Sequence, residues 1–547
     1  MVLEGFIPHP TQLAEEYTAK GLWKGLTIGD LLDRAVSRHP DRIALVDEKN
    51  RVTYKELQEK VNRLARSFLS LGIKKDDRVT IQLPNWAEFV YSYLALARIG
   101  AIGVMAIPHY RATEMEYIMR LTDSVGYIFP QEYRKFSYIG MLQEIKPRLP
   151  QLRYLIVVGS DTTPEPGYLS LQQLLDQEAG REFSPEYFKP YRPNPNDVSV
   201  ILWTGGTTAA PKGVPQTHNM HICYIEHLSK PVHSPANTSF LSSTPIAHNA
   251  ALSFGLNATL LYGETLVMMT STEPEDILKT IERERITTTL LIPTQAISVL
   301  NHPNFSRYNL SSLQVILCGA AHVPPELVKE IRTRIGCAVA NGYGMTEGLG
   351  SMTSLDDPLE VVCHTVGKPP CPGDEYKIVD EEGQELPPGK EGELIARGPC
   401  ISRGYYKAEE FNLVAFNADG FFFTGDLAMF DQDGHLKITG RKKDMILRGG
   451  ENISAAEVEE LILSCPKVEQ VAVVGMPDPV LGEKACAFIK PKGGEIVTLE
   501  ELVAFLKGKG IASFKLPERI EIITDFPLTS IGKIDKKLLR DWIIKNI

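Results

Sequence analysis

No CxxC pair occurs in the 547-residue chain, although it has eight cysteines, at positions 223, 318, 337, 363, 371, 400, 465 and 486. That scatter offers neither a zinc ribbon nor a disulfide framework, and a reducing cytoplasm suits it best. Basic residues are also short. The 58 Lys and Arg against 68 Asp and Glu give a formal net charge of -10, which argues against a broad nucleic-acid surface. Missing too is a long apolar run: the most apolar stretch, residues 91–108, is broken by Arg98 and by glycines. It reads as a buried helix followed by a strand, not as a membrane span. The opening MVLEGFIPHP has an acid at Glu4, no basic leader and no apolar core, so a secretory signal is not expected. Neither an internal repeat nor a low-complexity tract stands out.

What the chain does have is 43% hydrophobic and 23% charged residues, enough to bury a large core and to divide into two or more domains. Through the first 120 residues helical and extended patterns alternate. Thr27 with Asp30 and Thr53 with Glu56 have capping-box spacing, and short apolar runs such as RVTIQL from Arg78 read as strands. The alternation predicts an α/β architecture with parallel sheets. Residues 183–197, FSPEYFKPYRPNPND, predict a surface connection into the strand VSVILW. SLQVILCGAA (312–321) and CAVANGYGMTEG (337–348) read as strands ending in small residues, which suits a site at strand ends. From about residue 377 to 438 strands dominate, as in a separate β-rich subdomain. After Met445 the rhythm becomes that of a compact α+β unit of about 100 residues, with helices opened at Ser454 and Thr498. The expected division is residues 1–440, with two helix-packed sheets and the β-rich subdomain, and residues 441–547 as a small α+β domain.

Residues 204–213, TGGTTAAPKG, follow a predicted strand. Glycine-rich backbone, threonine hydroxyls and a lysine suit phosphate oxygens. A Walker loop, however, needs GK[ST] after four intervening residues, and here Lys212 follows Pro211 and precedes Gly213. That disfavours a P-loop kinase or ATPase. Taken alone, the stretch leaves a flexible surface loop open as the alternative.

Four further stretches come after it: YGMTEG from Tyr343, TGD from Thr424, GRKKDMILRGGENIS from Gly440 and PLTSIGKIDKK from Pro527. In this order and spacing, over nearly the whole chain, the five motifs resemble the adenylate-forming superfamily of acyl-CoA synthetases, aryl acid ligases, peptide-synthetase adenylation domains and luciferases. EEYTAKGLW, AHNAALSFG from Ala247, LDDPLEVVCHTVGKPPCPGDE after GMTEG, and GIASFKLPERIE are most similar to 2,3-dihydroxybenzoate-AMP ligases and related aryl acid ligases. The resemblance implies two half-reactions: a carboxylate attacks the α-phosphate of Mg-ATP to give an acyl-adenylate and pyrophosphate, then a thiol displaces AMP. The thiol is coenzyme A or the phosphopantetheine arm of a carrier protein.

By match to the motifs, Thr204, Gly205, Gly206, Thr207, Thr208 and Lys212 would hold the β- and γ-phosphates. Gly319, Ala320 and Tyr343 would line the nucleotide site, Thr346 would contact the α-phosphate, and Glu347 would hold Mg2+. Asp426 would accept both ribose hydroxyls with Arg441 in support, and Lys533 would bridge acid and ATP. Lys443 would be the hinge of a mobile C-terminal domain, with Gly449, Gly450, Glu451 and Asn452 lining the thiol's path. Outside the family pattern, TGD is an ordinary turn, and the lysines from Lys533 to Lys537 are an ordinary solvated run.

His248 and Asn249 match a His-Asn pair that faces the acid in aryl acid ligases, His248 joining Lys533, Lys212 and Thr346 as catalytic candidates and Asn249 meeting an ortho hydroxyl. A metal role for His248 finds no second ligand at suitable spacing. Ala250 stands where dihydroxybenzoate ligases carry tyrosine, Phe254 where they carry a small polar residue, and Gly342 and Gly350 where they carry valines. Three of these four changes remove bulk. The expectation is a roomier, less polar pocket and an acid bulkier or less hydroxylated than dihydroxybenzoate, one methylene being worth about 1–3 kcal/mol of selectivity. Other readings are a fatty or alicyclic acyl-CoA synthetase, a catalytically silent scaffold and a luciferase-type oxygenase. A cytoplasmic enzyme without a carrier domain of its own is expected, its oligomeric state open. Ala209, where the superfamily usually has glycine, implies a stiffer phosphate loop or a negative φ there.

Overall fold

Capping decides where the first long helices begin. In the computed structural model, Thr27 and Asp30 exchange side-chain and backbone hydrogen bonds at the start of Ile28–Arg38, and Thr53 and Glu56 do the same at the start of Tyr54–Leu71, satisfying amides that have no partner inside a helix. The structure describes residues 2–159, 166–178, 180, 181, 183–204, 211–230, 232, 239–449, 451–529 and 532–547. Helix Ala87–Arg98 is apolar almost all round and buried at every residue except Glu88, as such a helix must be. Its last residue, Arg98, pairs with Asp33 at 2.7 Å. Strand Ile102–Met105 follows. No helix among the described residues is long and apolar enough to cross a membrane.

Among the described residues, eight strands form one sheet, running from Gly350–Met352 through Ala338–Gly344, Val315–Gly319, Thr288–Leu291, Ser239–Ser242, Thr265–Met268 and Ile43–Val46 to Arg51–Thr53. Its interior pairs are parallel and its two edge pairs antiparallel. Seven strands form a second sheet around Ile102–Met105 and Arg78–Ile81, parallel except at the edge, where Gly213–Thr217 runs antiparallel to Val198–Trp203. Parallel sheets need both faces covered, and one continuous apolar cluster joins residues of both sheets to helices Ile28–Arg38, Tyr54–Leu71 and Ala87–Arg98.

The β-rich stretch is a four-stranded antiparallel sheet of Glu375–Val379, Gly392–Arg397, Phe422–Phe430 and Leu436–Arg441. A 3-10 turn at Lys442–Asp444 leads from it into the C-terminal unit. There Val468–Asp478 and Gly482–Pro491 pair along ten positions, with Arg519–Ile522 added in parallel. Helices Ala455–Leu463 and Leu499–Gly508 start at Ser454 and Thr498, whose hydroxyls accept the amides of Glu457 and Glu501. This unit has its own core, with Ile446, Val458, Ile462, Val473 and Leu502. The proline-rich stretch is a surface connection, as expected, with one added feature. It winds Pro185–Tyr191 into a 3-10 helix that buries Phe188, because that apolar ring finds the main core.

Candidate active site

The glycine-rich stretch joins two antiparallel strands, Val198–Trp203 and Gly213–Thr217, whereas a P-loop joins a strand to a helix. Its ends are tied together: Thr204 N–H donates to the Lys212 carbonyl at 3.1 Å, and Lys212 N–H to Thr204 Oγ1 at 3.4 Å. Gly205, Gly206, Thr207, Thr208 and Ala209 lie outside the described residues. The Lys212 ammonium sits 3.2 Å from the centre of the Phe411 ring and 5.6 Å from that of Tyr405, a cation–π cradle. Burial lowers its pKa, and the nearby Glu347 carboxylate works against that.

Glu347 is itself buried, with the Tyr405 hydroxyl donating to its Oε1 at 2.5 Å. Burial raises its pKa, the Tyr405 bond opposing. A carboxylate stripped of water in this way suits a hard divalent cation, which restores its charge. One residue earlier, the Thr346 carbonyl accepts Gln216 Nε2 at 2.7 Å, which ties this turn to the strand after the glycine-rich stretch.

Strand register builds the next group. Asp426 and Arg441 stand directly opposite on neighbouring strands, and Arg441 Nε lies 2.7 Å from Asp426 Oδ1. Tyr343, from the end of Ala338–Gly344, donates its hydroxyl to Asp426 Oδ2 at 2.7 Å. Both carboxylate oxygens are thus fixed, and each keeps a lone pair for a further donor. Beside them Gly319 has no room for a side chain, since a Cβ there would lie 2.2 Å from the Gly342 carbonyl. Ala320 follows with φ 66°, a left-handed conformation that costs a non-glycine residue about 1–3 kcal/mol and tends to mark functional turns.

Lys533 reaches this place from the far end of the chain. The Gly532 carbonyl accepts Thr294 Oγ1 at 3.4 Å, and Lys533 N–H donates to Thr529 Oγ1 at 3.1 Å. The half-buried ammonium is pushed down to about 8, first by burial, then by the repulsion of Arg441 and Lys443 against the attraction of Asp426. Its charge also reaches His248, whose imidazole is lowered to about 4 by burial and by Lys533. His248 Nδ1 is buried without a hydrogen-bond partner among the described residues.

The segment after His248 is unusual: Ala251–Asn257 winds as a π-helix, a form found mostly at functional sites. Asn249 donates to the Met345 carbonyl at 3.3 Å and accepts from Ser253 Oγ at 3.1 Å, and Ser253 Oγ also lies 3.1 Å from His221 Nε2. Its amide is therefore already partnered inside the protein, where an ortho hydroxyl was the expected partner. Ala250 is half-buried, and Phe254 packs with its ring centre 6.5 Å from that of Tyr224. The space beside the two glycines is not empty. A Cβ on Gly350 would lie 2.6 Å from Leu228 Cδ2 and 3.3 Å from Tyr224, and one on Gly342 would lie 3.3 Å from the Met352 methyl. Leu228, Tyr224 and Met352 therefore border the places where these glycines lack side chains, as dense interiors require.

Residues 32–406 match the AMP-binding enzyme family, and residues 457–533 match the AMP-binding enzyme C-terminal domain. The chain belongs to the AMP-binding enzyme family. Over 100% of this chain and 99% of the relative it is 38% identical to 2,3-dihydroxybenzoate-AMP ligase of Bacillus subtilis (strain 168). It is 36% identical, over 98% and 96%, to 2-hydroxy-7-methoxy-5-methyl-1-naphthoate–CoA ligase of Streptomyces carzinostaticus. An anthranilate CoA ligase solved in complex with anthranoyl-AMP superposes with a TM-score of 0.86 at 25% identity, covering 95% of this chain and 98% of that one. Like its family, the protein is an adenylate-forming acid–thiol ligase with a mixed α/β fold and a C-terminal domain.

Within that family frame, four residues of the site carried no motif signal. Tyr405 holds Glu347, Phe411 underlies Lys212, Gln216 ties down Thr346, and Thr294 receives the Lys533 loop. A buried tyrosine in GYYKAEE was the one available hint. Of the residues assigned to the thiol's path, Glu451 and Asn452 are exposed on strand Glu451–Ser454, Gly449 has φ 58°, and Gly450 lies outside the described residues. Among the described residues, neither Glu451 nor Asn452 makes a side-chain hydrogen bond to the groups around Lys533. Lys442 on Glu393 and the Ser454 hydroxyl on the Thr439 carbonyl at 2.8 Å tie the C-terminal unit to the β-rich sheet, while Arg540 on Asp444 at 3.0 Å ties its last helix to the 3-10 turn.

Proposed function

We propose that the protein activates a small aryl carboxylic acid with Mg-ATP and passes the aroyl group to a thiol. Lys533 carries this reading: the last loop of the chain, tied to Thr294, brings its ammonium within electrostatic reach of Asp426, the ribose-type acceptor, and of His248, the acid-facing residue. The relatives named above are ligases of ring-bearing acids, and Tyr224 and Phe254 supply aromatic walls.

In the first half-reaction a carboxylate oxygen attacks the α-phosphorus, the bond to the bridging oxygen of the β-phosphate breaks, and pyrophosphate leaves. Lys533 offsets negative charge on the acid and α-phosphate as they approach, an electrostatic task best done by a group fixed in advance. Asp426 accepts the ribose hydroxyls, held for that by Tyr343 and Arg441. Lys212 and the loop from Thr204 grip the departing phosphates. Mg2+, when bound, supplies charge neutralisation to the triphosphate, and Glu347 is the carboxylate to hold it. Neutral His248 adds no repulsion to Lys533. In the second half-reaction a thiolate attacks the acyl carbon, and AMP leaves with the carboxylate oxygen.

Lys533 docked while Glu451 and Asn452 stand exposed supports a two-position cycle in which residues 441–547 turn about Lys443 and bring the second set inward. Mass spectrometry of acyl-AMP formed from a panel of aryl, alicyclic and straight-chain acids tests the reading. Aryl adenylates should dominate; adenylates of straight-chain acids alone would overturn it. Repeating the run with coenzyme A and with a phosphopantetheinyl carrier identifies the thiol.

A further inference from the structure

The chain scatters its cysteines, but the fold gathers three. Cys223, on helix His218–Ser229, has its Sγ 3.5 Å from that of Cys400 and 3.9 Å from that of Cys371. The sulfurs of Cys371 and Cys400 lie within 4.8 Å of each other. All three are buried free thiols. They come from segments 148 and 177 residues distant from Cys223, one preceding strand Glu375–Val379 and one following strand Gly392–Arg397. Two half-buried side chains flank them: His227 within 4.8 Å of Cys223 and Cys371, and Asp374 within 4.8 Å of Cys371 and Cys400.

We propose that Cys223, Cys371, Cys400 and His227 form a structural site for a thiophilic d10 cation of the Zn2+ class, stapling helix His218–Ser229 to the four-stranded sheet. The two sulfur spacings made by Cys223 fit. Tetrahedral Zn–S bonds of about 2.3 Å set neighbouring sulfurs roughly 3.8 Å apart, and the observed 3.5 and 3.9 Å bracket that value. A disulfide would use two of the thiols and leave the third and the imidazole idle. Cys223 and His227 are four apart on one helix, so they share a face, and three cysteines with a histidine are a usual structural zinc set. Asp374 is already engaged, its Oδ1 accepting the Cys400 amide at 3.2 Å, and belongs around the ligands rather than among them. Binding releases the three thiol protons to solvent, and His227 binds neutral.

The consequence reaches the acid pocket. Tyr224 and Leu228 each follow a proposed ligand by one residue, and both press on the place where Gly350 lacks a side chain. A cation at this site fixes the helix that carries that wall. Near Cys400 the chain also supports Glu347, since Ser402 N–H donates to the Glu347 carbonyl at 2.7 Å.

The test uses the full-length protein. Purified without chelator, it should hold zinc stoichiometrically by mass spectrometry. Stripped with a chelator and still folded by circular dichroism, it should take up Co2+ with thiolate-to-cobalt charge-transfer bands and the intense visible bands of a tetrahedral centre. Zn2+ should then raise its melting temperature. Cys223→Ser, Cys371→Ser and Cys400→Ser should each lose most of the charge-transfer intensity, and His227→Ala should weaken Co2+ binding by about tenfold or more. A folded, stripped wild type that takes up no Co2+ overturns the proposal, as does a protein purified without zinc whose Cys223 and Cys400 are disulfide-linked. Cobalt spectra unchanged by Cys371→Ser or His227→Ala overturn the assigned ligands.

Discussion

Asp426 and Asn249 are both buried polar side chains of the candidate site, and the protein holds them in opposite ways. Asp426 has a charged partner on one oxygen and a phenol on the other, each at 2.7 Å, and the register of two strands sets that geometry. Asn249 is neutral, rides at the start of a π-helix, and belongs to a chain of hydrogen bonds through Ser253 to His221. The proposed nucleotide half is therefore fixed by charge and backbone register. The proposed acid half rests on neutral hydrogen bonds and side-chain packing, with Leu228 bordering the space beside Gly350. Substitutions in the first half should damage the reaction itself, and those in the second should redirect it.

Lys533→Ala should break the comparison most severely, lowering the rate of adenylation by about 100- to 1,000-fold while leaving thioester formation from a supplied aryl-AMP largely intact. In the wild type the same ammonium shapes the alkaline limb. Its pKa is lowered to about 8, so the charged form dominates below that value, and adenylation should decline as pH rises through about 8. A limb found only near the ordinary lysine value, about 10.4, would show that Lys533 is not docked as described.

Leu228→Ala comes next. Reopening the space beside Gly350 should shift the ratio of kcat/KM between a bulkier and a smaller aryl acid by about 1–3 kcal/mol toward the bulkier, with the KM for ATP unchanged; an equal loss for all acids would contradict the packing account. Tyr343→Phe removes one of the two bonds that orient Asp426 and should raise the KM for ATP by about tenfold, with acid selectivity untouched. The smallest effect is expected for Ala209→Gly, which should retain adenylation activity, and a severe loss would show that the alanine methyl is needed.

The two halves also differ in how far residues alone revealed them. TGD and GRKKD are picked out by their match to the family's motifs, since each alone reads as a turn or a charged run; the structure adds that Asp426 and Arg441 stand opposite each other on paired strands. Capping boxes at Thr27 and Thr53 fixed helix starts locally. The acid pocket was less legible: that Gly342 and Gly350 lack side chains is plain, but Leu228 and Met352 bordering the space depends on helix and strand packing that no local pattern encodes. The same holds for the three cysteines, whose spacing along the chain hides that their sulfurs meet, and for Thr294, which acquires a role only when the loop before Lys533 arrives.

The most direct measurement is ATP–pyrophosphate exchange by the purified wild type and Lys533→Ala, each with the best aryl acid found. The account predicts acid-dependent exchange in the wild type, diminishing above about pH 8 as the ammonium of Lys533 is lost, and exchange reduced at least 100-fold in the variant, on the scale of removing one fixed charge-stabilising donor. Exchange that is independent of aryl acid, or undiminished in Lys533→Ala, would contradict it.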